Sequence, residues 1–312
     1  MRDDFGREIN YLRVSVTQRC NLNCLYCGSD SPDLEEMTVD EISRYVKAFV
    51  ICGINKVRIT GGEPLLRSDI IEIVSALSEN QDIKKLVLTT NGVYLKKYAR
   101  ALKEAGLSAV NVSLDALDGE KYKRLTGRDC LPQVLEGIDE AERVKLKVRV
   151  NAVLIRGQNE DQAEALIGLA KGRNIDVRFI ELMPFSDAGE NADMIVKGNE
   201  ILERFPFLKP LKSNKTGFEQ SVARYYEAEG FKGRIGLITP VSDKFCDNCN
   251  RIRLLSDGKV RPCLGHDDVI DLRKCSDDDL IGTVKEAIRS KPKGHEFNCG
   301  YGNPRAMNKI GG

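Results

Sequence analysis

The chain has 312 residues, with 48 Lys and Arg against 47 Asp and Glu and a net charge of +1. Near-neutrality leaves no global basic field to recruit nucleic acid, so any anionic ligand must be met by a local cluster of cations. Without a basic-then-apolar leader or an apolar run of about 18 residues, neither secretion nor a membrane span is expected, and the expected address is cytoplasmic.

At this length one large domain and a smaller one are expected. From residue 12 to about 184, short β-branched runs alternate with longer amphipathic ones, which is βα repetition. Strands are expected at 12–17, 56–60, 85–90, 109–114, 146–155 and 176–183. Helices are expected at 38–50, opened by the capping box Thr38-x-x-Glu41, at 68–80, at 94–105, closed by Gly106, at 132–143 and at 159–171. Six such strands imply an α/β chain whose parallel sheet curls into a partial (βα)6 barrel. After about 195 the alternation stops, and polar turns at 212–217 precede short strand-like pieces at 223–227 and 234–238. The expected division is a barrel over 1–214 and a smaller C-terminal α+β subdomain over 215–312, which closes the barrel mouth and brings its cysteines towards those of the barrel.

Functional residues of such barrels gather at the C-terminal ends of the strands. Cys20-Asn-Leu-Asn-Cys24-Leu-Tyr-Cys27 follows the first strand, Gly61-Gly62-Glu63-Pro64 the second, Thr89-Thr90-Asn91-Gly92 the third, and Ser113 with Asp115 the fourth. Asn151 lies within the fifth, and Glu181 with Met183 ends the sixth. Closed zinc sites take four protein ligands, whereas a cubane iron–sulfur cluster on three thiolates leaves one iron open. The three-thiol loop reads as the second kind, with a partial zinc knuckle or a group of buried thiols as the alternatives. The paired glycines let backbone come close to a ligand, and a plain strand-to-helix turn reads equally well.

A second trio, Cys246, Cys249 and Cys263, extends through His266 to C-x2-C…C-x2-H, and by spacing alone reads as structural zinc. Arg251 and Arg253 follow it with Ile252 between them, and two guanidiniums on one strand face form a forked receptor for phosphate or a purine edge, which a closed zinc knob does not need. Six of the ten cysteines thus fall in two trios, and Cys52, Cys130, Cys275 and Cys299 read as packing or surface thiols. Arg13, Arg58 and Arg149 each sit inside an otherwise apolar strand, which is sensible if they face a polar lumen and otherwise requires them to snorkel outward past a helix.

The C-x3-C-x2-C loop with Tyr26 before its last cysteine resembles the signature of the radical S-adenosylmethionine (SAM) enzymes. Asp4-Phe5-Gly6-Arg7, the segment 11–17 and the block 236–251 narrow the resemblance to the GTP 3′,8-cyclase family of molybdenum cofactor biosynthesis, over nearly the whole chain. The resemblance implies two [4Fe–4S] clusters, the first on Cys20, Cys24 and Cys27 and chelating SAM, the second on Cys246, Cys249 and Cys263 and binding guanine, with His266 a bystander. It assigns Tyr26, Gly62, Ser113 and Met183 to SAM, core packing remaining open for Met183. It assigns Arg13, Arg58, Thr89, Arg149, Arg251, Ile252 and Arg253 to GTP, and Arg13 with the terminal Gly311 and Gly312 to catalysis. The family carries Lys where this chain has Arg149, so a point charge becomes a planar fork there.

The implied reaction is abstraction of the C3′ hydrogen of GTP by a 5′-deoxyadenosyl radical, attack of the resulting carbon radical on C8, and reduction to (8S)-3′,8-cyclo-7,8-dihydroguanosine 5′-triphosphate. An electron donor of flavodoxin or ferredoxin type, a downstream cyclic pyranopterin monophosphate synthase and a homodimer are the family's expected partners. Two other readings stay open on the sequence: a radical SAM peptide modifier with an auxiliary cluster, and a zinc-stabilised binding module.

Overall fold

The structure is a computed structural model, and it describes residues 1–27, 35–185, 192–211, 222–295, 297 and 307. The turns at 212–217, Cys299, Gly311 and Gly312 lie outside the described residues. In chain order the elements are β1 (Tyr11–Ser15), α1 (Val39–Ile51), β2 (Lys56–Thr60), α2 (Ile70–Ser78), β3 (Lys85–Thr90), α3 (Leu95–Glu104), β4 (Ala109–Ser113), α4 (Gly119–Thr126), α5 (Leu131–Arg143), β5 (Lys147–Leu154), α6 (Ala163–Gly172) and β6 (Asp176–Glu181). There follow α7 (Gly198–Arg204), β7 (Lys209–Pro210), β8 (Arg224–Glu227), β9 (Ile235–Ile238), β10 (Arg251–Leu254), β11 (Lys259–Arg261), β12 (Ile270–Asp271) and α8 (Asp277–Arg289).

All six expected strands are present. So is the capping box: Glu41 N donates to Thr38 Oγ1 at 3.2 Å while Thr38 N donates to Glu41 Oε2 at 2.8 Å. Helix α4 has no counterpart among the expected helices, because Gly119–Thr126 is short and polar and buries only Tyr122, Leu125 and Thr126. It is fixed locally instead, by Asp118 accepting from Lys121 N at its start and by Gly127, in the left-handed region at φ 73°, at its end.

One 12-stranded sheet has the order β12-β11-β10-β1-β2-β3-β4-β5-β6-β9-β8-β7. Every ladder from β10 through β1–β6 to β9 is parallel, and the outer pairs are antiparallel. The linear order leaves the barrel partial. Chain after β6 therefore extends both edges of the six-strand unit, with β10 beside β1 and β9 beside β6.

The strands alternate sharply. Leu12, Val14, Val57, Ile59, Leu88, Val110, Val112, Val150 and Val177 are fully buried in the core with the helices, and their neighbours on the other face are Arg13, Arg58, Thr89, Asn111, Arg149 and Arg178. A filled barrel interior is built of branched apolar layers, whereas this inner face is polar and cationic. Among the described residues no helix is long and apolar enough to cross a membrane.

Candidate functional site at both ends of the barrel lumen

The first cysteine loop leaves the C-terminal end of β1 and is tied to the ends of the next four strands. Gly62 N donates to Thr17 O and Glu63 N to Arg19 O, both at 2.8 Å. A Cβ on Gly62 would lie 2.3 Å from Arg19 O and 2.5 Å from Gln18 O, so the absent side chain lets this turn press against the cysteine loop's own backbone. The buried Glu63 carboxylate then accepts from Asn91 N (2.6 Å), Thr90 Oγ1 (2.8 Å) and Leu65 N (3.0 Å), joining the ends of β2 and β3. Burial pushes it up to about 7, and those three donors only partly offset the loss of hydration. Asn91 Nδ2 reaches Asn21 Oδ1 at 2.7 Å.

Tyr26 OH donates to Asp115 Oδ2 at 2.7 Å, and Asp115 Oδ1 accepts from Val153 N at 2.8 Å, which links the loop to β4 and β5. Burial raises Asp115 to about 6. Behind the loop, Asn23 N and Leu25 N donate to Thr126 O and Leu125 O, so α4 is its support. Burial raises Cys24 well above the ordinary thiol value, and Asp115, Cys27 and Cys20 add to the effect. Cys20 and Cys27 thus both act on Cys24, and three thiolates are a donor set that fits a cationic centre. Ser113 stands half-buried at the end of β4, opposite Asn151, and Met183 stands half-buried just past β6.

The second trio lies at the other end of the strands. Cys246 opens a 3-10 turn, Cys246–Asn248, that leads into β10, and β10 runs parallel to β1 with Tyr11 opposite Arg251. Antiparallel pairing of β10 with β11, with Arg253 opposite Arg261, returns Cys263 to the end where Cys249 sits. The two trios thus face each other along the lumen rather than side by side, separated by the five residues of β1, about 17 Å of strand. Burial alone would raise Cys249, but Arg251 and Lys291 outweigh it and bring the thiol down to about 6.

His266 Nε2 lies 2.8 Å from Gly294 O, and Cys275 Sγ contacts Asp271 O and Thr283 Oγ1. Among the described residues no three His, Cys, Asp or Glu groups converge closely enough to hold a single metal ion. This holds of the first trio as it does of Cys246, Cys249, Cys263 and His266. A four-iron cube spreads three thiolates over three irons and needs no common point.

Between the trios the sheet register assembles the cations. Arg253, Arg13 and Arg58 are successive partners across β10, β1 and β2. Thr89, Asn111 and Arg149 are successive partners across β3, β4 and β5. The buried atoms Arg13 Nε, Arg58 Nε, Arg251 Nε, Arg253 Nε, Arg178 Nε, Thr89 Oγ1, Asn111 Nδ2 and Tyr11 OH have no hydrogen-bond partner. Burial lowers Arg13 well below the usual guanidinium value, and repulsion from Arg253 and Arg58 adds to it. Burial, with Arg251 adding, lowers Arg253 to about 10, and burial with Arg178 does the same to Arg149. Guanidiniums stay protonated, so at Arg13 and Arg253 these directions mark positive charge crowded on positive charge, whereas Arg149 has a counter-ion in Asp176, 3.7 Å away.

Lys56 and Arg178 share this face and have no place among the residues singled out from the sequence. Lys56 Nζ lies 4.2 Å from the Tyr11 ring centroid, burial lowers it to about 8, and Arg178 holds Asn111 Oδ1 at 2.8 Å. Both carried a usable signal: Lys56 alternates with Arg58 as Arg251 does with Arg253, and Arg178 interrupts an apolar strand as Arg13 does. The Ile252 side chain is fully buried in the core on the opposite face.

Comparison with known proteins gives concordant results. Residues 14–170 match the radical SAM superfamily and residues 175–297 match Molybdenum Cofactor Synthesis C. The chain is 44% identical to a GTP 3′,8-cyclase of Alkaliphilus oremlandii over 100% of both chains. It is 43% identical to one of Peptoclostridium acidaminophilum, over 99% of this chain and 98% of the relative, and 41% identical to one of Listeria monocytogenes, over 95% and 92%. Among solved structures it resembles Streptococcus suis SuiB bound to precursor peptide SuiA (TM-score 0.67, 16% identity, 89% of this chain and 67% of that one). The SuiB structure bound to S-adenosylmethionine gives a TM-score of 0.65 at 17% identity, over 89% and 68%. At such identity the likeness concerns the fold alone.

Proposed function

The chain belongs to the radical SAM superfamily and, within it, to the GTP 3′,8-cyclases, and from that premise we propose how its lumen divides the work. It is an enzyme of the first step of molybdenum cofactor biosynthesis, with GTP as substrate and SAM and a [4Fe–4S] cluster as cofactors.

The observation that carries the residue assignment is the wall of buried cationic donors without partners between the two trios. A triphosphate brings about four negative charges and many acceptor oxygens, and forked guanidinium donors match both. In this reading Arg13, Arg58, Thr89, Arg149, Arg251 and Arg253 bind GTP, joined by Lys56 and Arg178. Ile252 contributes only backbone, because its side chain is in the core. Cys20, Cys24 and Cys27 hold the first cluster, with Tyr26, Gly62, Ser113 and Met183 around SAM. When bound, that cluster supplies the electron for reductive cleavage of SAM.

Cys246, Cys249 and Cys263 hold a second [4Fe–4S] cluster that fixes the guanine end of GTP, a role supported by the lowered Cys249 and by the arginines beside it. The protein's own task is to stretch GTP along the lumen, with C3′ towards SAM, and to keep water away from the reacting carbon. Arg13 acts in catalysis by holding the phosphates in that pose. Gly311 and Gly312 complete the site from the tail. Met307 N donates to Cys27 O at 2.7 Å, which supports a tail that reaches the first cysteine loop. A flavodoxin- or ferredoxin-type donor, a downstream cyclic pyranopterin monophosphate synthase and a homodimer belong to the same reading.

Anaerobic reconstitution with iron, sulfide and zinc analysis, followed by calorimetry with GTP, tests it. About eight irons per chain and weaker GTP binding in Arg251→Ala, with SAM binding retained, is the expected result. About four irons with one zinc would return the second trio to structure, and unchanged GTP affinity in Arg251→Ala would point to another substrate such as a peptide.

A further inference from the structure

Lys291 is among the largest fully buried side chains, only 2% exposed. Its Nζ donates to Pro262 O at 2.9 Å, the carbonyl immediately before Cys263, and among the described residues it forms no ion pair. Removing an ammonium from water without an opposite charge is strongly unfavourable. Cys249 and Cys263 are the groups of acidic character that act on it.

The backbone carrying Lys291 is held in place from the N-terminal segment. Arg7 Nη1 donates to Cys246 O (3.0 Å) and Lys293 O (2.8 Å), and Arg7 Nη2 to Pro292 O (2.7 Å) and Lys291 O (3.4 Å). Arg7 has its own counter-ion in Asp3, 2.6 Å away, whereas Lys291 has no carboxylate partner among the described residues. Among the described residues, the charged side chains outside the first trio that act on Cys20 and Cys24 are carboxylates, Glu63 and Asp115.

We propose that Lys291, beside Arg251, is a counter-charge of the second cysteine trio and raises the reduction potential of the cluster held there above that of the first. The inference rests on the two-cluster reading given above. A fixed positive charge beside the sulfurs favours the state carrying one more electron, because charge and hydrogen bonding near a cluster are levers on its potential. Lys291 is thus a positioning and tuning residue for the second cluster, and Arg7 delivers it.

The test compares full-length wild type, Lys291→Gln, which keeps a donor for Pro262 O without charge, and Lys291→Arg, which keeps the charge. Each is reconstituted anaerobically, and iron content, SAM binding and a dithionite redox titration followed by electron paramagnetic resonance are measured. The first cluster is identified by its response to SAM. Wild type should hold about eight irons, with the second midpoint above the first. Lys291→Gln should shift only the second midpoint, downward by at least tenfold in the one-electron equilibrium, about 59 mV, or lose about four irons with SAM binding intact. Lys291→Arg should match wild type.

An unmoved second midpoint with iron retained in Lys291→Gln overturns the inference. So does a Lys291→Arg protein that behaves like Lys291→Gln, or a wild-type second midpoint at or below the first. Wild type with only about four irons would instead sink the two-cluster reading on which it stands.

Discussion

Arg13 and Arg253 are register partners on the adjacent parallel strands β1 and β10, so two guanidinium groups stand side by side on one wall of the lumen, each with an unpartnered Nε. Such a pair is repulsive without an anion and favourable with one, which separates its effect on binding from its effect on stability. Arg253→Met keeps bulk and removes one charge. GTP should bind at least tenfold more weakly, about 1.4 kcal/mol. The ligand-free protein should be as stable as wild type or more so, because apolar replacement of buried charge is often neutral to stabilising. Calorimetry with GTP and thermal unfolding without it check the two halves.

Glu63 gives a pH-dependent prediction. Its carboxyl is raised to about 7 in the fold by burial, against about 4.3 when unfolded. The folded state therefore binds the proton more tightly, and this group's contribution to stability is present at low pH and is lost as pH rises from about 4.5 through 7. Relative to Glu63→Gln, wild type should lose on the order of 3 kcal/mol across that window. Removing an acceptor from Asn91 N adds an offset that does not vary with pH, so the slope is what is read, by urea unfolding at pH 5 and pH 8.

Gly62→Ala would place a methyl group against Arg19 O and Gln18 O. The neighbour is backbone and cannot swing aside, so the turn and the cysteine loop must separate, at roughly 1–3 kcal/mol of overpacking strain. The expected outcome is lower first-site iron and weaker SAM binding, with GTP affinity near wild type. Equal losses of SAM and GTP binding would mean that the strain spreads through the sheet.

Arg7→Ala removes four donor contacts to carbonyls and leaves Asp3 buried without its partner. Breaking one side of a buried pair typically destabilises by about 3–5 kcal/mol. Arg7→Lys should recover only part of it, since one ammonium cannot serve four carbonyls and a carboxylate with the geometry of a planar fork. Urea midpoints of the three proteins measure this, and second-site iron should fall in the same order.

How much of this was legible beforehand depends on the range of the signal. The six barrel strands and their helices follow from local alternation, and the loops at their C-terminal ends carry residues such as Cys20 and Gly62 whose chemistry is visible in a few consecutive positions. Arg13, Arg58 and Arg149 were legible as charges inside apolar runs. That Arg253 lies beside Arg13 was not, because residues 240 apart are joined only by sheet pairing, which short strands such as Arg251–Leu254 do not announce. Helix α4 was missed because its sequence is almost wholly polar, although it carries the backbone of Asn23 and Leu25. Lys291 was invisible for another reason: a lysine near the end of a chain reads as solvated, and only the fold shows it sealed behind Cys263.

The placement of β9 and β10 on opposite edges of the six-strand unit has a consequence for synthesis. While the ribosome is still translating, both flanks of the parallel sheet stay open from the completion of β6 until β9 and then β10 emerge, a delay of several seconds at about 5–20 residues per second. Exposed strand edges are templates for pairing with another chain. The nascent protein is therefore most prone to self-association just before its last quarter is made, and its yield should respond to elongation rate and to chaperones that cover strand edges during that interval.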